Sequence, residues 1–259
     1  MSTTRATAHR LPVAVPVAIA AAWAVAVIAQ ASGKAELLHH DALIEGHLPV
    51  WVALCLFLLA WQVMIAAMML PSTLPMVRLF AAASTSLERP GETQAAFLVG
   101  YLVVWTVFGA LAFVGDMGLH HLVDATPWLA ARPWLIAGSA LSLAGVFQFS
   151  AVKDRCLSEC RHPGAYLLAH YRRGVGEAFR LGRGHGLFCL GCCWALMLLM
   201  FAAGVANLWW MAALTAVMVY EKVGHQGARM TRPVGVLLLA LAVLVLLHPA
   251  WLPSALAAA

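Results

Sequence analysis

Two short clusters hold five of the six cysteines in this chain: Cys156-Leu-Ser-Glu-Cys160-Arg-His-Pro163 and Cys189-Leu-Gly-Cys192-Cys193-Trp-Ala-Leu-Met197. Thiolate sulfur is the donor preferred by Cu(I), Zn(II) and iron–sulfur clusters. Cysteines three or four residues apart on a helix point the same way, so one metal ion can reach both. Cys189, Cys193, Met197 and Met200 continue as a single helical stripe of two thiols followed by two thioethers, which reads as a ladder for Cu(I). Met64 and Met68, also four apart, would add thioethers, although methionine serves equally as a flexible gap-filler between helices. His162 and His185 flank the clusters as imidazole donors or as solvated loop side chains. Cys55, within Leu-Cys-Leu-Phe, reads as a small packed apolar residue.

The elements that must position these donors are set by composition. With 63% hydrophobic and 10% charged residues and a mean hydropathy of +0.86, the chain lacks the polar surface of a soluble globule, whereas a protein solvated by lipid needs none. The expected fold is all-α, a polytopic helical membrane protein of about seven transmembrane helices. Each stretch approaches the roughly 20 apolar residues that a span requires: about Leu11 to Ala31, Leu48 to Leu70, Gln94 to Gly115, Trp134 to Val152, Leu187 to Ala206, Leu208 to Tyr220 and Val234 to Trp251. The sixth is short. The first exceeds the apolar core of a signal peptide and is read as an uncleaved span. No segment alternates apolar and polar residues as a transmembrane barrel would.

Basic residues stay on the cytoplasmic side of a bilayer. With the N-terminus inside and the C-terminus outside, fourteen of the sixteen Lys and Arg fall on inner segments, and only Lys34 and Arg132 fall outside. The pI near 9.1 is therefore a signal of topology rather than of nucleic-acid binding. Residues 1–259 read as one transmembrane domain of the bacterial inner membrane, with a cytoplasmic Cys/Arg-rich loop at about 153–186. Both cysteine clusters then lie on the cytoplasmic side, where thiols persist and metal ligation is favoured over a structural disulfide.

The order Met64-Ile-Ala-Ala-Met-Met-Leu-Pro71, Lys153-x-x-Cys-Leu-x-x-Cys-Arg-x-Pro163, Gly186-Leu-Phe-Cys-Leu-Gly-Cys-Cys-Trp-Ala-Leu-Met197, Asn207-Leu-x-Trp-Met211 and Glu221-Lys222 resembles an uncharacterised bacterial family of predicted metal-binding integral membrane proteins. The resemblance covers roughly residues 50 to 225. It departs at Ala206, where methionine is expected. It implies a membrane protein that binds a metal, without naming the metal or a reaction.

Polar residues near the spans carry further expectations. Glu221 and Lys222, closing the sixth span, read as an ion pair first, with a snorkelling anchor or a metal neighbour as alternatives; Gln148 and Asn207 read as makers of interhelical hydrogen bonds. On the opposite face, Glu36, His39, His40, Asp41, Glu45 and His47 in one loop and Asp116, His120, His121 and Asp124 in another would suit oxidised copper, zinc or another divalent ion. A solvated interfacial loop explains them as well. The leading reading is a membrane protein, a binder rather than an enzyme, that takes a metal ion, copper favoured and zinc possible, for transport or for delivery to a metallochaperone or metalloprotein partner. No phosphate- or nucleotide-binding motif is present. Two alternatives stay open: a membrane thiol–disulfide oxidoreductase cycling Cys189 and Cys192 against Cys156 and Cys160, and a zinc-stapled structural or assembly subunit.

Overall fold

Proline marks where many of the helices begin, because a first-turn residue needs no N–H and the ring presets a helical φ. The computed structural model describes residues 13–32, 48–202 and 207–248. Among them every regular element is helical: α1 (Ala14–Ala31), α2 (Val50–Met68), α3 (Leu70–Ser84), α4 (Pro90–Asp124), α5 (Pro127–Ala130), α6 (Pro133–Phe147), α7 (Ala151–Arg161), α8 (Pro163–His170), α9 (Val175–Ala202), α10 (Leu208–Val223) and α11 (Gly227–Leu247). The loop holding Glu36, His39, His40, Asp41, Glu45 and His47, together with Lys34, Ala206 and both termini, lies outside the described residues.

Helices α1, α2, α4, α9 and α11 are long and apolar enough to cross a membrane, and α6 with α7 would make a sixth across a 65° bend. The outward faces are apolar, with Leu59, Leu111 and Leu247 among many exposed side chains, while Lys153, Glu221, Lys222, Gln148 and His185 are buried. Such an inverted arrangement suits lipid as solvent. Helix α10 has 16 residues, about 24 Å at 1.5 Å per residue, and falls short of the roughly 30 Å hydrocarbon layer. Helix α4, with 35 residues, is about 52 Å long and exceeds it.

Three expectations about local structure are revised. The fourth apolar run ends at Phe147 and not at Val152, because Ser150 caps a new helix by accepting from the Lys153 amide at 3.1 Å and the chain turns there. The stretch 153–186, expected as a loop, is largely helical, comprising α7, α8 and the start of α9. Asn207 makes an N-cap rather than an interhelical bond: its Oδ1 accepts from the Trp209 and Trp210 amides at 3.1 and 3.3 Å.

Helix α9 is the most enclosed of the candidate spans, 56% buried against 11% for α1, and it packs on α4, α6, α7 and α10. Its tightest partner is α4. At Gly182 a Cβ would drive into the Phe97 carbonyl, so only glycine lets the two backbones meet this closely. Helix α2 is tied to α4 by Trp61 Nε1 donating to the Trp105 carbonyl at 2.8 Å and by Gln62 Nε2 donating to Thr106 Oγ1 at 2.6 Å. These contacts bring the C-terminal ends of α2 and α10 to the same end of the bundle as α7 and the first half of α9.

The junction between α2 and α3 also follows from proline. Pro71 has no N–H to offer the Ala67 carbonyl, and the Trp23 indole on α1 donates to that oxygen instead, at 3.1 Å. The helix breaks at Met69, whose carbonyl accepts from Ser72 Oγ at 2.8 Å and Thr73 Oγ1 at 3.1 Å.

Candidate metal centre

On α9, Cys189 and Cys193 share a stripe while Cys192 points to one side, and the sulfurs accordingly find different partners. Cys192 Sγ lies 4.0 Å from Cys160 Sγ on α7. Cys193 Sγ lies 3.7 Å from Met69 Sδ at the α2–α3 break. Both thiols also donate to the Cys189 carbonyl, at 3.1 and 2.8 Å. Cys156, one turn before Cys160, is half-buried against α9: a Cβ at Gly191 would stand 2.5 Å from its Sγ. The two cysteine clusters, separated by some thirty residues of sequence, therefore meet in space.

A frame of charge surrounds the sulfurs. Lys153 Nζ donates to Glu221 Oε2 at 2.7 Å and to the Cys192 carbonyl at 3.0 Å, with both side chains buried. Arg161 donates to the carbonyls of Glu221 and Gly224 at 2.6 and 3.0 Å, holding the end of α10 against α7. Lys222 turns the other way and reaches Cys189 Sγ at 3.0 Å, Cys193 Sγ at 3.7 Å and Ser72 Oγ at 3.2 Å. The expected Glu221–Lys222 pair is thus replaced: neighbours on a helix point about 100° apart, and each side chain takes a partner from a different helix. On the far side of Cys189 stands Tyr101, its hydroxyl 3.1 Å from Sγ and itself receiving a bond from Thr73 Oγ1 at 3.1 Å.

Metal–sulfur bonds of about 2.3 Å to sulfurs 4.0 Å apart meet at about 120°, and to sulfurs 3.7 Å apart at about 107°. Each pair is already within bridging distance. Among the described residues no three His, Cys, Asp or Glu side chains are gathered around one point. The donors come as a dithiol pair and a thiol–thioether pair, and not as a single sphere of four thiols. Cu(I) accepts few, soft sulfur donors, whereas structural zinc is held by four ligands in a tetrahedron; the donor set fits copper.

Other expected ligands fall into place unevenly. Met64, Met68, Met197 and Met200 are all buried in the apolar core. His185 is buried among the rings of Phe97, Tyr101 and Tyr166, 5.7 to 6.3 Å between centroids, with Nδ1 unbonded. His162 is exposed where α7 ends, its Nδ1 2.8 Å from the Ser158 carbonyl oxygen. Cys55 faces outward on α2 rather than packing inward. Gln148 is buried where α6 ends with its side chain beside Glu221 of α10, and among the described residues neither amide atom closes a hydrogen bond of good geometry. At the other end of the bundle His120 Nδ1 lies 3.0 Å from the Asp116 carbonyl oxygen and 3.8 Å from its Oδ2.

Met69, Tyr101, Lys153 and the sulfur-facing role of Lys222 are additions. The doublet Met68-Met69 before Leu70-Pro71 carries the one usable signal for Met69, since a proline two residues on breaks the helical periodicity that singles out Met64 and Met68.

No curated protein and no solved structure matches the chain. A family model described as PpoB2, copper chaperone, matches residues 58–245, well over half of the sequence and the whole of the sulfur cluster. The chain belongs to this copper chaperone family.

Proposed function

We propose that this chain is a multi-pass protein of the bacterial inner membrane that takes up Cu(I) on the sulfur cluster and delivers it to a metalloprotein or metallochaperone partner. The observation that carries the reading is the approach of Cys160 and Cys192 to 4.0 Å from separate helices, beside the Cys193–Met69 pair at 3.7 Å. Cys156, half-buried at the edge, receives the ion first; the dithiol pair holds it, and the thiol–thioether pair extends the path towards Met197 and Met200. Softer, neutral thioether donors weaken the hold and favour release. A chaperone needs such exchangeable binding rather than a closed cage.

The cluster faces the cytoplasm in this reading, with the N-terminus inside, the C-terminus outside and seven spans, α10 being the short one. Lys153 and Lys222 are buried in the cluster and drop out of the count of retained charges. Twelve inner basic residues against two outer ones remain, and the bias persists.

Copper titration of the detergent-purified, reduced chain against a Cu(I) chelator tests the function. Wild-type protein should retain copper. Cys160→Ser and Cys192→Ser should each weaken binding by more than the roughly 10–100-fold that outer-shell changes cost, and Cys55→Ser should leave it unchanged. Copper retention unaffected by either cluster substitution would overturn the assignment. The same 4.0 Å approach also supports the second reading, a dithiol–disulfide couple of Cys160 and Cys192. A free-thiol count separates them: bound copper with all thiols free once the metal is removed supports delivery, and a stable Cys160–Cys192 disulfide without copper supports redox exchange.

A further inference from the structure

Lys222 is a buried cation whose neighbours are sulfur rather than carboxylate. It is 5% exposed, and its ammonium contacts Cys189, Cys193 and Ser72 at 3.0, 3.7 and 3.2 Å. Glu221, next to it in sequence, is committed to Lys153, and among the described residues no carboxylate lies within ion-pair distance of Lys222. An ammonium in such a site is costly unless negative charge is supplied nearby. The thiols in contact with it are placed to supply it.

Resting on the copper reading above, we infer that Lys222 is a valence filter, a specificity-determining residue that selects a monovalent over a divalent metal. The charge balance is simple. When an ion binds two thiols, each loses its proton to solvent, and no electron is transferred. A Cu(I) bis-thiolate of Cys189 and Cys193, the two thiols that Lys222 touches, carries one net negative charge, which Lys222 neutralises. A divalent ion on the same two thiolates is already neutral, so Lys222 leaves the loaded site with one uncompensated positive charge in a medium of low dielectric. A third thiolate would restore balance for a divalent ion, but among the described residues no three such donors are gathered around one point. Softness alone does not discriminate among Cu(I), Zn(II) and Cd(II) at thiolates; the fixed charge adds what softness lacks. Ser72, held at the α2–α3 break, keeps the ammonium beside the sulfurs.

The test compares wild type, Lys222→Met, Lys222→Gln and Lys222→Arg as full-length protein in detergent, with apparent affinities for Cu(I), Ag(I), Zn(II) and Cd(II) measured by chelator competition. Ag(I) and Cd(II) repeat the two valences with other soft ions, so charge is separated from metal identity. In the Met and Gln variants both monovalent ions should weaken by about tenfold or more, with the divalent ions unchanged or tighter, and Lys222→Arg should keep the wild-type ratio. Gln retains an N–H for Ser72 and carries the same expectation where Met does not fold. Equal weakening of all four ions would mean that Lys222 only supports the fold, and an unchanged ratio in a folded neutral variant would likewise overturn the filter. Failure of the underlying reading looks different: wild-type protein would then hold no Cu(I) that Cys160→Ser or Cys192→Ser removes.

Discussion

Replacing Lys153 by methionine should be among the most damaging single changes in the chain, for a reason that can be worked from its surroundings. Lys153 is fully buried, the Glu221 side chain is 3% exposed, and they meet at 2.7 Å; Glu221 Oε1 has no hydrogen-bond partner of its own. Methionine matches the volume of the lysine stem, so packing is kept and the loss is electrostatic. It strands a carboxylate in the interior, a situation that costs about 3–5 kcal/mol. At about 2–4 °C per kcal/mol for a chain of this size, the melting midpoint should fall by about 6–20 °C. A thiol-reactive dye reports the transition directly, because Cys160, Cys189, Cys192 and Cys193 are buried and become reactive only on unfolding. Adding Glu221→Gln removes the stranded charge and should recover most of the loss. The double variant still lacks the ammonium that fixes the Cys192 carbonyl at 3.0 Å, so its Cu(I) affinity should stay about tenfold down. A single variant that melts within about 2 °C of wild type, or a double variant no better than the single, would refute the view that this pair clamps α7 to α10.

Three further outcomes follow from the packing. Gly182→Val should wedge α4 from α9 at the Phe97 carbonyl, costing about 1–3 kcal/mol as overpacking does, and should loosen Tyr101 from Cys189; the dye melt and the Cu(I) titration read the two effects. Trp23→Phe removes the donor to the Ala67 carbonyl and should cost about 1 kcal/mol, visible as a small drop in melting midpoint with copper binding retained. Reporter fusions at Gly174, in the exposed turn before α9, and after Ala259 should give opposite signals; equal signals would remove the seven-span topology.

The fold was legible where burial in lipid leaves no choice. Over the described residues the apolar runs are helical, apart from the breaks at Met69 in the second and at 148–150 in the fourth, as expected of a backbone that lipid would oblige to satisfy itself within one segment. The errors lie where polar residues interrupt the pattern. The segment 153–186 is rich in charge and looks like a loop, yet Ser150 caps it, Pro163 restarts it, and its cysteine-bearing face is turned inward by the packing on α9. A hydropathy pattern cannot distinguish a helix that lies against a bundle from a loop that hangs below it.

The centre was legible in its cysteines and opaque in its cations. Two separated clusters of the same soft donor on the same face explain each other only by meeting, which is why they could be expected together, although the pairing of Cys160 with Cys192 could not. Lys153 carried no such signal and Lys222 only that of a possible metal neighbour, since a lysine at the end of an apolar run is most simply a topology marker. What makes them part of the centre is a division of labour visible only in three dimensions: adjacent residues Glu221 and Lys222 leave α10 in different directions, one to neutralise Lys153 and the other to face sulfur. If Glu221 satisfied Lys222, the thiols would be alone in their pocket and any soft ion could balance them. Because Lys153 occupies Glu221, a positive charge is left over beside Cys189 and Cys193, and the ion that best completes the site is one carrying a single charge.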